Sequence, residues 1–165
     1  MHIPVEYHSR TAFEPPWDAS VVLAHARTLA LAFRAGATQG LLRGKNFGLL
    51  CEADDTGDAA LFRRAVVEMG AQVAHLRPSL SKLGAPQELQ HTARMLGRLY
   101  DAVACQGMAP ALVQQLGVYA GVPVFDDVAS ADHPTARLAE RLGGDASPAD
   151  NRRFVLQAVL LSKLL

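Results

Sequence analysis

The sequence has few of the residues that would mark a secreted, membrane-embedded or nucleic-acid-binding protein. Cysteine occurs only twice and tryptophan once among 165 residues, which argues against a small disulfide-stapled fold. No apolar run is long enough for a transmembrane helix, and no apolar signal core opens the chain. Basic and acidic residues number 16 each, so no charge excess attracts nucleic acid or an anionic membrane. We therefore expect a cytoplasmic protein with neither of those partners.

The composition is that of an ordinary globular domain, since half of the residues are apolar and 19% are charged. Short apolar runs alternate with segments of helical periodicity. We predict strands over residues 47–51, 72–76, 102–105 and 122–125, and helices over residues 18–34, 59–70, 86–100, 109–120 and 133–142. Short connections and right-handed crossovers then predict an α/β three-layer sandwich, with a four-stranded parallel sheet in the order 2-1-3-4 and helices on both faces.

Both ends of the chain depart from this alternation. Residues 1–17 carry three prolines and are predicted to be irregular, with Trp17 anchoring them to the core. Residues 143–147 form a glycine-containing break. Ser147 and Pro148 then have the cap and first-turn positions of a helix over residues 148–165. Because that helix is strongly apolar, we expect it to pack beside the first helix.

Acidic side chains follow the predicted strands at their carboxyl ends, the edge where such sheets bind ligands. One interpretation is a site for a cation or an amine. The interpretation that we favour is a solvated edge whose aspartates cap helices and form turns, and we therefore expect no metal. The residues concerned are Asp54, Asp55, Asp58, Asp126, Asp127, Asp132 and His133.

Cys51 and Cys105 lie near the ends of two strands that the topology makes neighbours. They could form a redox pair, but no surrounding residue predicts a lowered thiol pKa, so we interpret them as buried core thiols. No glycine-rich phosphate loop of the usual spacing is present. The sequence therefore gives no reason to expect a cofactor.

Four motifs along the chain are characteristic when taken together. The most specific is the ten-residue run from Thr92 to Asp101, Thr-Ala-Arg-Met-Leu-Gly-Arg-Leu-Tyr-Asp. Gly44-Lys45-Asn46 precedes the first strand, Tyr-Ala-Gly-Val-Pro-Val covers residues 119–124, and His-Pro-Thr begins at residue 133. In these motifs the chain resembles the ornithine carbamoyltransferases, along the domain that binds carbamoyl phosphate.

The resemblance implies a phosphate-binding motif, Ser-Thr-Arg-Thr-Arg, immediately after the first strand. This chain has Asp55, Thr56, Gly57, Asp58 and Ala59 at those positions. Only the threonine is retained, both arginines are missing, and two acids have been introduced. The resemblance therefore implies a carbamoyl-phosphate site that has degenerated, without catalytic residues.

Other positions that the resemblance assigns to the site are also altered. Gln106 stands where a third arginine is expected, and Ala136 stands where a glutamine accompanies the retained His133. A purely structural role is the alternative for His133, because a His-Pro turn starts a helix. In the family a mobile loop reaches into a neighbouring subunit. The corresponding residues here are Ser81 and Lys82. The simpler interpretation of Lys82 is an ordinary surface lysine on a loop.

Residues 148–165 resemble the terminal helix of the family, which returns to the first domain after a second, amino-acid-binding domain. The resemblance implies that residues 1–165 are a single domain in which the linker 143–147 replaces the second domain. We expect a non-catalytic oligomeric protein, a homotrimer, that interacts with or regulates a full-length carbamoyltransferase or another enzyme of amino-acid metabolism. Two alternatives stay open: a module that binds an amine, a guanidine or a cation, and a transferase subunit completed by a separate second domain.

Overall fold

The computed structural model describes residues 17–37, 40–53, 56–78 and 83–165, and of the predicted irregular segment 1–17 it describes only Trp17. Helices and strands alternate along the chain after a first helix, and the last helix follows two short helical segments. The elements are α1 (Ala19–Arg34), β1 (Asn46–Leu50), α2 (Gly57–Glu68), β2 (Gln72–Leu76), α3 (Pro86–Leu99), β3 (Ala102–Cys105), α4 (Pro110–Ala120), β4 (Val124–Asp126), a 3₁₀ turn (Pro134–Arg137), α5 (Leu138–Leu142) and α6 (Pro148–Leu164).

The four strands form one parallel sheet in the order β2-β1-β3-β4, which confirms the predicted topology. Phe47 of β1 pairs with Val73 of β2 on one side and with Ala102 of β3 on the other. The sheet places the ends of β1 and β3 side by side, where Leu50 pairs with Cys105. The loops that follow these two strands therefore meet at one edge.

Alternate residues of each strand face opposite sides of the sheet, and each side carries its own core. Phe47, Leu49 and Phe125 belong to the core beneath α1, α2, α5 and α6. Leu50, Val103 and Val124 belong to the core beneath α3 and α4. Because successive side chains of a strand point in opposite directions, this division gives the predicted three layers.

The motif from Thr92 to Asp101 has a structural purpose. A Cβ atom on Gly97 would lie 1.7 Å from the carbonyl oxygen of Ala120, so the close contact between α3 and α4 requires glycine at this position. Asp101 Oδ2 accepts a hydrogen bond from the backbone N–H of Asn46 at 2.8 Å, and the Asp101 N–H donates to the Asn46 carbonyl at 2.8 Å. The motif therefore joins α3 to α4 and β3 to β1.

Several predicted bounds differ from those observed by one or two residues, such as strand 47–51, observed as Asn46–Leu50, and helix 59–70, observed as Gly57–Glu68. The predicted helix 133–142 is a 3₁₀ turn followed by the short α5. The fourth strand begins at Val124 and not at residue 122, since Pro123 has no N–H for strand pairing. The Pro123 carbonyl still accepts from the Val103 N–H at 2.9 Å, and β4 lies at an edge of the sheet as predicted.

The last helix packs beside the first, as its apolar sequence predicts. Phe154 and Phe33 pack with their rings tilted by 59° and the ring centroids 5.7 Å apart, and Gln157 donates from Nε2 to the Ala65 carbonyl of α2 at 3.0 Å. Trp17 is half-buried against the same core, consistent with its predicted anchoring role. Within the described ranges no helix is both long and apolar enough to cross a bilayer.

Candidate functional site

The predicted site begins at the loop between β1 and α2. Asp55, with its neighbour Asp54, lies outside the described residues. Thr56 is the N-cap of α2, and its hydroxyl accepts a hydrogen bond from the Ala59 N–H at 3.2 Å. The residue that the resemblance implies to be retained from the phosphate motif therefore accepts a hydrogen bond within its own helix, as threonines at the N-cap commonly do.

The next three residues form the first turn of α2. Gly57 is exposed, and no atom lies within 4 Å of the place where its Cβ would be. Asp58 is half-buried, while Ala59 is completely buried in the core shared with α1 and α6. Residue 59 therefore faces the core and not the solvent at the sheet edge.

Gln106 follows β3 and is buried. Its Oε1 accepts from the Ala129 N–H at 3.4 Å, so its amide braces the loop after β4. Beside it, Asp127 Oδ1 accepts from the Gly107 N–H at 2.7 Å, and the φ of 49° at Asp127 puts this residue in the left-handed region that suits a turn. Both side chains hold the loops that form this edge.

His133 is buried and caps the 3₁₀ turn. Its Nδ1 lies 2.7 Å from Thr135 Oγ1 and accepts from the Thr135 N–H at 3.2 Å. An Nδ1 atom that accepts a hydrogen bond carries no proton, so a neutral His133 ring has its proton on Nε2. This contact is consistent with the scaffold interpretation of the histidine.

A cavity of about 620 Å³ lies between the start of α2, the loop after β4 and the start of α6. Two of the predicted site residues, Asp58 and Ala136, line it. Thr56, Gly57, Ala59, Gln106 and His133 lie at the same sheet edge but are not among its lining residues. The structure therefore brings together only part of the predicted set.

The basic groups of this cavity, Arg137 and Arg152, were not predicted as site residues from the sequence. Arg152 Nη2 donates to the carbonyl oxygens of Val128 at 2.9 Å and Ser130 at 3.1 Å. Burial lowers the pKa of the Arg152 guanidinium, and the charge of Asp58 opposes that shift. Arg152 and Arg153 are adjacent and lie near the N-terminal end of α6, where positive charge is unfavourable because of the helix dipole. This unfavourable placement was the signal in the sequence that the two arginines make contacts outside their own helix.

The remaining predictions concern the mobile loop and a metal. Ser81 and Lys82 lie outside the described residues. In the parts of the chain that the structure describes, no group of three or more histidine, cysteine, aspartate or glutamate side chains is arranged to hold a metal ion. Of the acidic residues at the edge, Asp58 occupies the first turn of α2 and Asp127 occupies a turn, as the favoured interpretation predicts. The prediction that this edge is solvated is wrong for Asp126, Asp127 and His133, which are buried.

Cys51 and Cys105 are buried free thiols. Burial raises the pKa of the Cys105 thiol, and the nearby charges of Asp126 and Asp127 raise it further. A thiol with a raised pKa forms little of the reactive thiolate. The structure therefore supports the interpretation of Cys105 as a core residue.

Residues 16–142 match the family described as aspartate/ornithine carbamoyltransferase, carbamoyl-P binding domain. An ornithine carbamoyltransferase of Haemophilus influenzae (strain PittGG) is 40% identical over 117 residues, which are 71% of this chain and 35% of that protein. The chain thus spans about a third of the length of the curated relatives that it matches.

Solved structures give the same result for the fold. The ornithine carbamoyltransferase from Pyrococcus furiosus aligns with a TM-score of 0.63 at 24% identity, over 75% of this chain and 40% of that one. The ornithine carbamoyltransferase from Burkholderia thailandensis E264 aligns with a TM-score of 0.64 at 19% identity, over 76% of this chain and 43% of that one. At these identities the likeness shows that the parallel-sheet fold is shared.

Proposed function

Because this chain belongs to the aspartate/ornithine carbamoyltransferase family through its carbamoyl-phosphate-binding domain, we propose that it is a non-catalytic member whose phosphate site no longer binds carbamoyl phosphate. We further propose that residues 143–147 stand in the place of the second domain. The protein would then act by assembly, as an oligomeric interaction or regulatory protein linked to amino-acid metabolism.

The observation that carries this proposal is the loss of available cations and donors at the positions assigned to phosphate. Gly57, Ala59 and Gln106 replace three arginines that the family resemblance implies. Charge-assisted hydrogen bonds contribute about 1.5–3 kcal/mol each, so the losses at positions 57 and 106 alone remove about 3 kcal/mol or more, even when discounted for non-additivity. Position 59 is left out of this sum because it faces the core. Asp58 adds repulsion toward a dianion.

The groups that remain support the same conclusion. The Thr56 hydroxyl oxygen and His133 Nδ1 accept hydrogen bonds from backbone N–H groups, so these two residues offer a phosphate at most the Thr56 O–H and the His133 Nε2–H as donors in place of the arginines. The N-terminus of α2 favours an anion, but one helix terminus contributes only about 0.3–1 kcal/mol at an exposed site. That is too little to replace three arginines.

We predict that calorimetry will detect no binding of carbamoyl phosphate tighter than about 1 mM, which corresponds to about 4 kcal/mol. Combining Asp55→Ser, Gly57→Arg and Asp58→Thr should tighten phosphate binding by about tenfold or more, because these changes restore one cation and remove two acids. The Cβ of Gly57 has open space for a longer side chain, whereas Ala59→Arg would force a cation into the core.

The matched control carries Gly57→Gln in place of Gly57→Arg and should gain much less, since its side chain is uncharged. Neither variant should transfer a carbamoyl group to ornithine, because no residue of this chain is assigned to hold that substrate. Tight binding of carbamoyl phosphate by the unmodified protein would contradict the proposal directly. Failure of the restored variant to respond would mean that the loop after β1 has changed its backbone path.

We also propose that the protein forms a homotrimer, and that a full-length carbamoyltransferase or another enzyme could join the same assembly. The support is family membership together with exposed apolar side chains. Met95 and Leu99 lie one turn apart on α3 and are 45% and 59% exposed. Apolar side chains that remain exposed on neighbouring helical turns are typical of interaction surfaces.

Sedimentation velocity at micromolar concentration should therefore show a species larger than one subunit. Leu99→Glu should shift the distribution toward the monomer, because a charge would be buried in the contact. The control is Val67→Glu on α2, at a position 51% exposed on the opposite layer, which should leave the distribution unchanged. A protein that sediments as a monomer at this concentration would remove the basis for the regulatory proposal as well.

A further inference from the structure

Helix α1 has two apolar faces, and the domain buries only one of them. The face that packs on the core consists of Val22, Leu23, Ala26 and Ala30. The exposed face consists of Val21, Ala24, Thr28 and Leu31. The side chains of Val21 and Leu31 are 47% and 64% exposed. Large apolar side chains that stay exposed along one helix are typical of an interaction surface.

The exposed face of α1 has the spacing of a coiled-coil seam. Its four residues follow one another at steps of three, four and three positions, as the a and d positions of a heptad repeat do. Val21 and Leu31 supply bulky side chains, and Ala24 between them lets a second helix approach closely. The Thr28 hydroxyl donates to the Ala24 carbonyl at 3.1 Å, so its polar group is already satisfied within α1. This face therefore fits another helix.

An apolar depression of about 80 Å³ borders the exposed face. Thr28 lines it together with Phe33 and Leu41. Pockets for small molecules are larger, about 300–1,000 Å³, so this depression suits one apolar side chain of a protein partner. Glu68 also lines it, but its carboxylate lies 2.9 Å from Arg153 Nε and is neutralised by that pair.

The charges beside the exposed face are positive. Arg27 and Arg34 are seven residues apart, so they lie on the same border of the face, about 10 Å from each other along the helix axis. Both occupy the heptad position called g, and α1 itself contains no aspartate or glutamate. Asp145 lies 4.0 Å from Arg34, but its carboxylate is 99% exposed, and such surface pairs contribute little. The border of the face therefore attracts acidic side chains.

The same charges oppose a second copy of α1 as the partner. In an antiparallel helix pair the g positions of the two helices meet, which would place arginine against arginine. In a parallel pair the g positions meet e positions, which in α1 are His25 and Ala32 and provide no acid. Charges at e and g set the choice of partner in coiled coils. A helix with acids at these positions would give Arg27 and Arg34 opposite charges in either orientation.

We propose that the exposed face of α1 binds an amphipathic helix of another protein, one whose apolar a and d stripe is flanked by acidic residues at e and g. The apolar residues of the two helices would interdigitate, and the acids would pair with Arg27 and Arg34. The proposal goes beyond the loss of phosphate binding. It also concerns the layer opposite α3, so it holds whether or not the protein forms a trimer.

The test is the fluorescence anisotropy of labelled helical peptides titrated with the full chain at low salt. The first probe has about three heptads, with leucine at a and d and glutamate at e and g. The second has lysine in place of the glutamates, and the third has serine in place of the leucines. The first probe should bind saturably at micromolar concentration. The other two should bind more weakly by about tenfold or more, because one meets like charges and the other buries no apolar surface.

Variants at exposed positions locate the response on α1. Arg27→Glu combined with Arg34→Glu should reverse the preference, so that the lysine probe binds more tightly than the glutamate probe. Leu31→Gln should weaken binding of the glutamate probe by about tenfold. Arg98→Glu, at an exposed position of α3, is the control and should bind all three probes like the unmodified protein.

Three results would overturn the proposal. The first is a folded protein that shows no saturable binding of the glutamate probe. The second is equal binding of the glutamate and lysine probes, since the arginines would then not select the partner. The third is a change in the sedimentation of the protein alone on Leu31→Gln, which would assign the face to a second copy of the chain. None of these results bears on carbamoyl phosphate, whose binding is measured separately by calorimetry.

Discussion

Deleting residues 148–165 is expected to abolish cooperative folding of the domain. The helix contributes Phe154, Val155, Leu156, Val159 and Leu160 to the core, and each of them is at most 2% exposed. Burial of one such side chain is worth about 1.5–3 kcal/mol, so the five together are worth roughly 10 kcal/mol. That is comparable with the whole stability of a domain, about 5–15 kcal/mol. The deletion would in addition expose the apolar faces of α1 and α2.

The truncated chain should be insoluble, or compact but molten, binding a hydrophobic dye and melting without a sharp transition. Circular dichroism during heating and dye fluorescence measure both properties. Removing only Leu165 is the control, because its side chain is 78% exposed, and that protein should still unfold cooperatively. If the longer deletion gave a soluble protein with a sharp melting transition, the core would not depend on α6.

Replacing Arg153 with alanine is expected to cost about 3–5 kcal/mol, the range for removing one partner of a buried ion pair. The Arg153 side chain is 1% exposed. Its Nε lies 2.9 Å from Glu68 Oε2, and its Nη1 donates to Asp150 Oδ1. The guanidinium also lies 5.0 Å from the centroid of the Phe33 ring and 4.9 Å from that of Phe154, so its loss would leave both a cavity and an unpaired carboxylate.

Urea denaturation of the two proteins measures this difference. Arg27→Ala, at an exposed position of α1, is the matched control and should change stability by less than about 0.5 kcal/mol. The double variant Arg153→Leu with Glu68→Leu should lose less than Arg153→Ala, because it leaves no uncompensated charge at Glu68. Equal stability of Arg153→Ala and the Arg27→Ala control would show that the buried cation does not hold α6 in place.

The pH dependence of the stability gives a second measurement of the contact between Arg153 and Asp150. Arg153 lowers the pKa of the Asp150 carboxyl, chiefly through their hydrogen bond. A lowered carboxyl pKa contributes stability above its unfolded value, and this contribution is lost as the pH falls through the folded value. The unmodified protein should therefore lose this contribution in acid, and Arg153→Ala should lack that part of the pH dependence.

Much of the fold follows from local patterns in the sequence. Alternating apolar runs and helical periodicity predicted the sheet order and all four strands, since right-handed crossovers leave few arrangements for such a pattern. The predicted starts at residues 18 and 86 agree with the structure, where Asp18 caps α1 and Pro86 opens α3, because capping and first-turn preferences are local. The segment 133–142 was predicted less well. It divides into a 3₁₀ turn and α5, and apolar periodicity over ten residues does not separate a 3₁₀ turn from the first turn of an α-helix.

The site divides in the same way. The sequence by itself determined which residues follow the first strand, and the comparison of residues 55–59 with the phosphate motif of the family rests on the resemblance alone. Only the tertiary structure decided that Ala59 faces the core and that the Gln106 amide braces a loop. These outcomes depend on neighbours that are distant in the chain, which no local pattern encodes.

Arg152 and Arg153, which are adjacent in α6, show most clearly what the sequence determined and what only the tertiary structure decided. The sequence determined that two cations follow each other near the start of an apolar helix. Successive residues of a helix point about 100° apart, so neighbouring side chains must meet different surroundings. Arg153 is buried between α1 and α2, where Glu68 and two phenylalanine rings surround it. Arg152 contacts the loop after β4 and lines the cavity. Which arginine became the core cation and which became the cavity donor was decided only when α6 packed against the sheet, because the rotation of a helix about its axis is fixed by the surfaces that it contacts.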